Sequence, residues 1–181
     1  MLDIMLLGGW MMWPLLFVSI VMVALIIERL LFFGTHARPD LSKLSLSELV
    51  EKLKQQPEFY PFIEALEHGD NDETLSSIAQ DIVNAREKHL SMLATLSKIA
   101  PLMGLLGTIF GMIETFSIIA SMSGSLNMTI LAQGIWQALI TTATGLIIAI
   151  PGYLFLAYFR SQVSITAQYL IKVANLYRKS R

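Results

Sequence analysis

Between Lys98 and Arg160 the chain carries a single charged residue, Glu114. One bilayer-spanning helix needs about 20 mostly apolar residues, so this stretch is too long for one span. The polar, Gly- and Ser-containing segment Ser121–Asn127 divides it. The pattern predicts one span from about Ile99 to Ile119 and another from about Ile130 to Phe159. The latter exceeds a bilayer's thickness and should tilt or project into water, with Pro151 as a candidate kink. A further span runs from Trp10 to Ile27, where Ser19 is the only polar residue, closed by Glu28 and Arg29. Pro14 sits near its start, where a missing N–H costs little. Asp3 stands where a signal peptide would be basic and no small-residue cleavage site follows, which favours an anchor over a cleaved leader.

Composition agrees with this reading. Apolar residues make up 54% of the chain and charged residues 15%, against about 25% charged in an average globular protein. A water-soluble enzyme is disfavoured, as is a disordered chain, which needs low hydrophobicity and high charge. The absence of cysteine excludes a disulfide framework, iron–sulfur ligation and Cys-based zinc sites. All Lys and Arg lie either between Arg29 and Lys98 or between Arg160 and Arg181, and no Asp or Glu occurs from Thr115 onward. The positive-inside rule therefore places both basic regions in the cytoplasm and the N-terminus and the Ser121–Asn127 turn outside. The expected fold is an all-α membrane protein with three transmembrane helices, some extending far into the cytoplasm. Its predicted parts are an outer N-terminus with the first span (1–33), a cytoplasmic helical insert (34–98), the second span (99–120), an outer turn (121–129), the third span (130–159) and a cytoplasmic helical tail (160–181).

Within the insert, Ser45-Leu46-Ser47-Glu48 reads as a capping box, and Pro57 and Pro61 interrupt the helical period. Asn71 or Asp72 can cap a second helix, whose apolar positions Leu75, Ile78, Ile82, Ala85, Leu93 and Leu96 recur at about 3.6 residues. No breaker precedes Pro101, so one long helix should enter the membrane, bent near Ala100–Pro101. Ser161–Tyr177 should continue the third helix outward. His36, His68 and His89 show no ligand spacing and read as solvated surface; no metal or cofactor site is expected. The acidic run Asp70-Asn71-Asp72-Glu73 lacks the calcium-loop spacing and reads as a turn and a helix start. The basic tail suits anionic lipid headgroups rather than nucleic acid.

Helices in lipid associate through small residues and buried polar groups. The second span supplies Gly104, Gly107, Gly111, Thr108 and Thr115; Gly104, Thr108, Gly111 and Thr115 fall within about a quarter turn. The third supplies Gly134, Ala138, Thr142, Gly145, Ala149 and Gly152. Glu114 is either a functional intramembrane carboxylate or a wet interfacial one, since an ionised carboxylate at the bilayer centre costs about 2.5–3.5 kcal/mol. Gln137, Thr141 and Thr144 share a face of the third helix different from that of Thr142, and with Thr108 are candidates to line a polar seam. Hydroxyls and amides pass hydrogen bonds but hold no charge near neutrality. An ion path would therefore need Glu114 or a carboxylate from another chain.

The runs Ala100-Pro101-Leu102-Met103-Gly104-Leu105-Leu106-Gly107-Thr108-Ile109-Phe110-Gly111-Met112-Ile113 and Gly134-Ile135-Trp136-Gln137-Ala138-Leu139-Ile140-Thr141-Thr142-Ala143-Thr144-Gly145-Leu146, with Ala149-Ile150-Pro151, resemble the ExbB/TolQ/MotA proton-channel family, on the ExbB side. The resemblance covers nearly the whole chain and is loosest in the insert. It implies a pentameric ring in the inner membrane of Gram-negative bacteria, enclosing the transmembrane helices of an ExbD-like dimer. It also implies a non-enzymatic motor that uses the proton-motive force through a TonB-like protein to energise uptake of siderophores, haem or vitamin B12. By motif position, Thr108 and Thr142 match the pore-facing threonines. Gln137 stands where ExbB and TolQ proteins carry Glu, so the resemblance moves the proton-carrying role to an Asp of the partner. A TolQ-like envelope role and a non-conducting membrane scaffold are the alternatives.

Overall fold

The computed structural model of the chain describes residues 8–34, 50–51, 53–54, 56–122 and 128–180. Every regular element among them is helical. Helix α1 is Met12–Gly34, α2 is Tyr60–His68 behind a short 3-10 turn at Pro57–Phe59, α3 is Asp72–Ser121 and α4 is Met128–Ser180. Helices α1, α3 and α4 are each long and apolar enough to cross a membrane. The capping box at 45–48 lies outside the described residues.

Both long helices run through a proline, Pro101 in α3 and Pro151 in α4. Each proline lacks the N–H that would bond to the carbonyl four residues back, yet neither ends its helix; the flanking apolar turns carry the helix on both sides. Helix α3 starts where the sequence reading placed a cap. The Oδ1 of Asn71 accepts from the backbone N–H of Thr74 at 2.9 Å and from its hydroxyl at 2.6 Å, and Asp72 and Glu73 occupy the first turn, where carboxylates favour the helix dipole. The acidic run is thus a turn and a helix start. Pro61 does not interrupt the insert as the pattern suggested. It sits in the first turn of α2, where proline's fixed φ is preorganised for a helix. Gly69 (φ 73°) closes α2 in the left-handed conformation and the N–H of Asp70 bonds back to Ala65 O at 3.0 Å.

The chain divides into two compact units, Met1–Ile27 with Met92–Leu156, and Glu28–Ser91 with Ala157–Arg181. In the first, apolar unit, Leu15, Val18, Met22 and Ile26 form the buried stripe of α1, while Trp13, Phe17, Ile20 and Val23 face outward. The second, polar unit has a core of large side chains: Leu53, Phe59, Phe62, Ile63, Leu66, Ile82, Tyr169, Leu170 and Val173. In water, burying each such side chain is worth about 1.5–3 kcal/mol, so this unit has the ordinary hydrophobic basis of a soluble helical domain.

Candidate functional site

In the apolar unit α3 and α4 approach so closely that glycine is required at the crossing. A Cβ on Gly104 would stand 2.9 Å from Thr141 O and 3.1 Å from Thr142 Cα. On Gly145 it would stand 2.7 Å from Ala100 O. On Gly107 it would meet Thr141 Cβ at 2.8 Å, and on Gly134 it would overlap the hydroxyl of Thr115. Gly111 differs, because a Cβ there would meet Ala138 at an ordinary 3.7 Å. The two backbones meet at Gly104 and Gly145, and at Gly107 and Gly134 a threonine side chain of the facing helix fills the space a Cβ would take.

The seam's hydroxyls are satisfied locally. Thr115 donates to Gly111 O at 2.7 Å, and Thr108 to Leu105 O at 2.6 Å. Thr144 donates to Ile140 O at 2.8 Å. Thr142 is the exception: its hydroxyl crosses the seam to Gly104 O at 3.2 Å. Thr141 is 1% exposed, fills the notch of Gly107, and donates to Ala138 O at 2.7 Å. Its position is that of a packing side chain, not of one lining an open surface.

One flank of the seam is covered by α1 and the residues just before it. The Trp10 ring lies 5.6 Å from that of Phe110. A Cβ on Gly9 would strike the Gln137 amide, and one on Gly152 would meet Met22 Sδ at 2.7 Å. At about 100° per residue, Thr108 lies roughly 160° from Phe110 around α3, and Thr142 roughly 140° from Gln137 around α4. Thr108 and Thr142, both half-buried, therefore share the flank opposite α1. Glu114 is exposed but lies roughly 120° from Thr108, on the Phe110 side. The expected seam of Thr108, Gln137, Thr141 and Thr144 is thus divided: Thr108 with Thr142 on one flank, Gln137 and Thr144 toward α1, Thr141 sealed between the helices. No acidic side chain of the second or third span stands on the Thr108–Thr142 flank.

The polar unit holds a cluster that the sequence reading missed. Arg29 and Arg86 are each 5% exposed. Arg29 donates from Nη1 to Arg86 O at 3.3 Å. Arg86 donates to Thr166 Oγ1 at 2.7 Å and is paired with Glu58. The Phe32 ring lies 5.1 Å from the Arg29 guanidinium, and the Phe59 ring 5.2 Å from that of Arg86. His89, whose side chain is still 42% exposed, joins them at the surface through Glu28 and Arg29. His68 stays at the surface on Glu64 O, and His36 lies outside the described residues. The only sequence signal for this cluster is the Glu28-Arg29 pair closing the first span; its partners are 57 to 61 residues away. Among the described residues, no group of acidic or histidine side chains is arranged to hold a metal ion.

A profile of the MotA/TolQ/ExbB proton channel family matches residues 44–171. The chain is 30% identical to the biopolymer transport protein exbB1 of Vibrio cholerae, over 93% of this chain and 84% of that protein. It is 34% identical to a putative biopolymer transport protein, ExbB-like 3, of Synechocystis, over 85% of this chain and 82% of that protein. With the ExbB of Salmonella typhimurium the identity is 39% over 39% of this chain.

Proposed function

The chain belongs to the MotA/TolQ/ExbB proton channel family, and from that premise we propose that it is an ExbB-like inner-membrane subunit of a motor driven by the proton-motive force. In this reading five copies form a ring, with the N-terminus periplasmic and the C-terminus cytoplasmic. The lumen holds the single spans of an ExbD-like dimer, and a TonB-like protein carries the work to outer-membrane uptake of siderophores, haem or vitamin B12. The subunit itself is not an enzyme.

The observation that carries the reading is the pairing of Thr108 and Thr142 on the flank α1 leaves open. A ring wall needs one face per subunit that is narrow, weakly polar and free of its own first span. Thr108 and Thr142 hydroxyls can exchange their present carbonyl partners for a passing donor or acceptor at small net cost. Neither can hold a charge, Glu114 lies on another flank, and Gln137 is an amide turned toward Gly9. The titrating carboxylate of the cycle therefore comes from the partner. One elementary charge crossing 100 mV releases about 2.3 kcal/mol, enough to bias one step between packed helix arrangements.

Native mass spectrometry of the chain, alone and co-expressed with an ExbD-like protein, tests the assembly. Five copies that accept two partner chains are expected; a monomer, or a ring that ignores the partner, would overturn the motor and favour a scaffold. Thr142→Val tests the flank. It should abolish energy-dependent uptake at least tenfold, by analogy with loss of one essential polar contact of about 1.4 kcal/mol, while the ring mass stays unchanged. A TolQ-like role would show instead as loss of envelope integrity with uptake intact.

A further inference from the structure

We infer that His89 is a proton-operated toggle between Glu28 and Arg29, set where α1 leaves its apolar stretch. Its Nδ1 lies 2.7 Å from Glu28 Oε1 and 2.5 Å from Arg29 Nη2. One nitrogen cannot serve both. Toward the carboxylate it must donate, and toward the guanidinium it must accept. Whether Nδ1 carries a proton decides which. A neutral ring with its proton on Nε2 accepts from Arg29. An imidazolium donates from Nδ1 to Glu28 and repels the guanidinium.

The consequence falls on Arg29 because it is buried. Its Nε has no partner, its Nη1 reaches Arg86 O at 3.3 Å, and its Nη2 has the His89 nitrogen and, at 3.5 Å, Glu28. When His89 takes a proton, Glu28 is drawn to the imidazolium and Arg29 keeps the Arg86 carbonyl and the Phe32 ring. A buried cation that loses a close acceptor gains a reason to move. The other charged groups of the cluster are already engaged: the Arg86 guanidinium holds Glu58 and Thr166, so it does not compete for His89. Imidazole exists in a neutral and a cationic form, so the toggle responds to the acidity that the ring meets. It stands on this geometry alone and is independent of the motor reading.

The test uses the full chain in lipid nanodiscs with His36→Gln and His68→Gln, leaving His89 as the sole histidine. Nitrogen-15 NMR of the ring, from about pH 5 to 8.5, should find Nδ1 unprotonated and accepting at high pH and protonated at low pH. Hydrogen exchange of the Arg29 guanidinium, relative to that of exposed Arg160, should rise about tenfold on acidification, as expected for loss of one charge-assisted hydrogen bond. His89→Asn keeps an acceptor near the Nδ1 position but does not titrate, and should make that ratio independent of pH. Glu28→Gln removes the low-pH partner and should move the ring's transition to lower pH. An Nδ1 that stays protonated on Glu28 at every pH would overturn the proposal. So would an exchange ratio that changes equally in His89→Asn, or a transition that Glu28→Gln leaves in place.

Discussion

At the scale of single residues, the glycines of the α3–α4 seam look interchangeable in sequence and are not so in space. Gly145 faces the backbone oxygen of Ala100, which cannot rotate away, whereas Gly111 faces the methyl of Ala138 at ordinary contact distance. Gly145→Ala should therefore destabilise the chain by about 1–3 kcal/mol through overpacking. Gly111→Ala should be neutral or stabilising by up to about 1 kcal/mol, from helix propensity. Thermal unfolding of the two variants in detergent, followed by size-exclusion recovery, compares them; equal losses would show that the seam does not hold its contacts as described. Glu58 offers a second contrast. It neutralises Arg86, which is buried with an unpartnered Nε. Glu58→Leu leaves that charge uncompensated and should cost about 3–5 kcal/mol, read as faster proteolysis of the polar unit. Glu58→Gln, which keeps an acceptor, should cost clearly less.

At the scale of elements, α3 depends on a cap far from its apolar half. The Asn71 side chain accepts from both the backbone N–H and the hydroxyl of Thr74. Asn71→Ala should cost about 1 kcal/mol and speed hydrogen exchange of the amides of Asp72–Leu75, with the amides beyond Pro101 unchanged. The long helices themselves were legible in the sequence, because their apolar period is sustained and proline is tolerated where neighbouring turns compensate. Helix α2 was not, since Pro61 reads as a break but stands in the first turn of the helix. A cap at Asn71 or Asp72 and small-residue faces that include Gly104 and Gly145 could be read from residue type and spacing; the structure uses Asn71 as the cap. The division of the polar seam could not: which flank of α4 holds Thr142 and which holds Gln137 follows from where α1 and the turn before it pack, and periodicity is silent on that. The Arg29–Arg86–His89 cluster was hidden for the same reason, as contacts between residues about sixty positions apart leave no local pattern.

At the scale of the whole molecule, the two units are stabilised by different physics. The apolar unit relies on close backbone approach and internal hydrogen bonds, because lipid offers apolar side chains no reward for leaving it. The polar unit relies on a hydrophobic core, and that core contains a titratable group. Tyr169 is 3% exposed beside Leu170 and Val173, and burial pushes its phenol up from 10.0 to about 12. The phenol is thus easier to ionise in the unfolded chain than in the folded one. The unfolded chain gives up its proton first as pH rises, so folded-state stability is fully present below about pH 10 and is lost between about pH 10 and 12. Urea unfolding of the polar unit, followed by tryptic cleavage within Glu28–Ser91 in chain held in nanodiscs, should show its midpoint falling across that alkaline window. Tyr169→Phe should remove most of the fall, because nothing remains there to ionise, while the midpoint near neutrality shifts little. A variant whose midpoint falls as steeply as that of the unaltered chain would place the alkaline sensitivity outside this core.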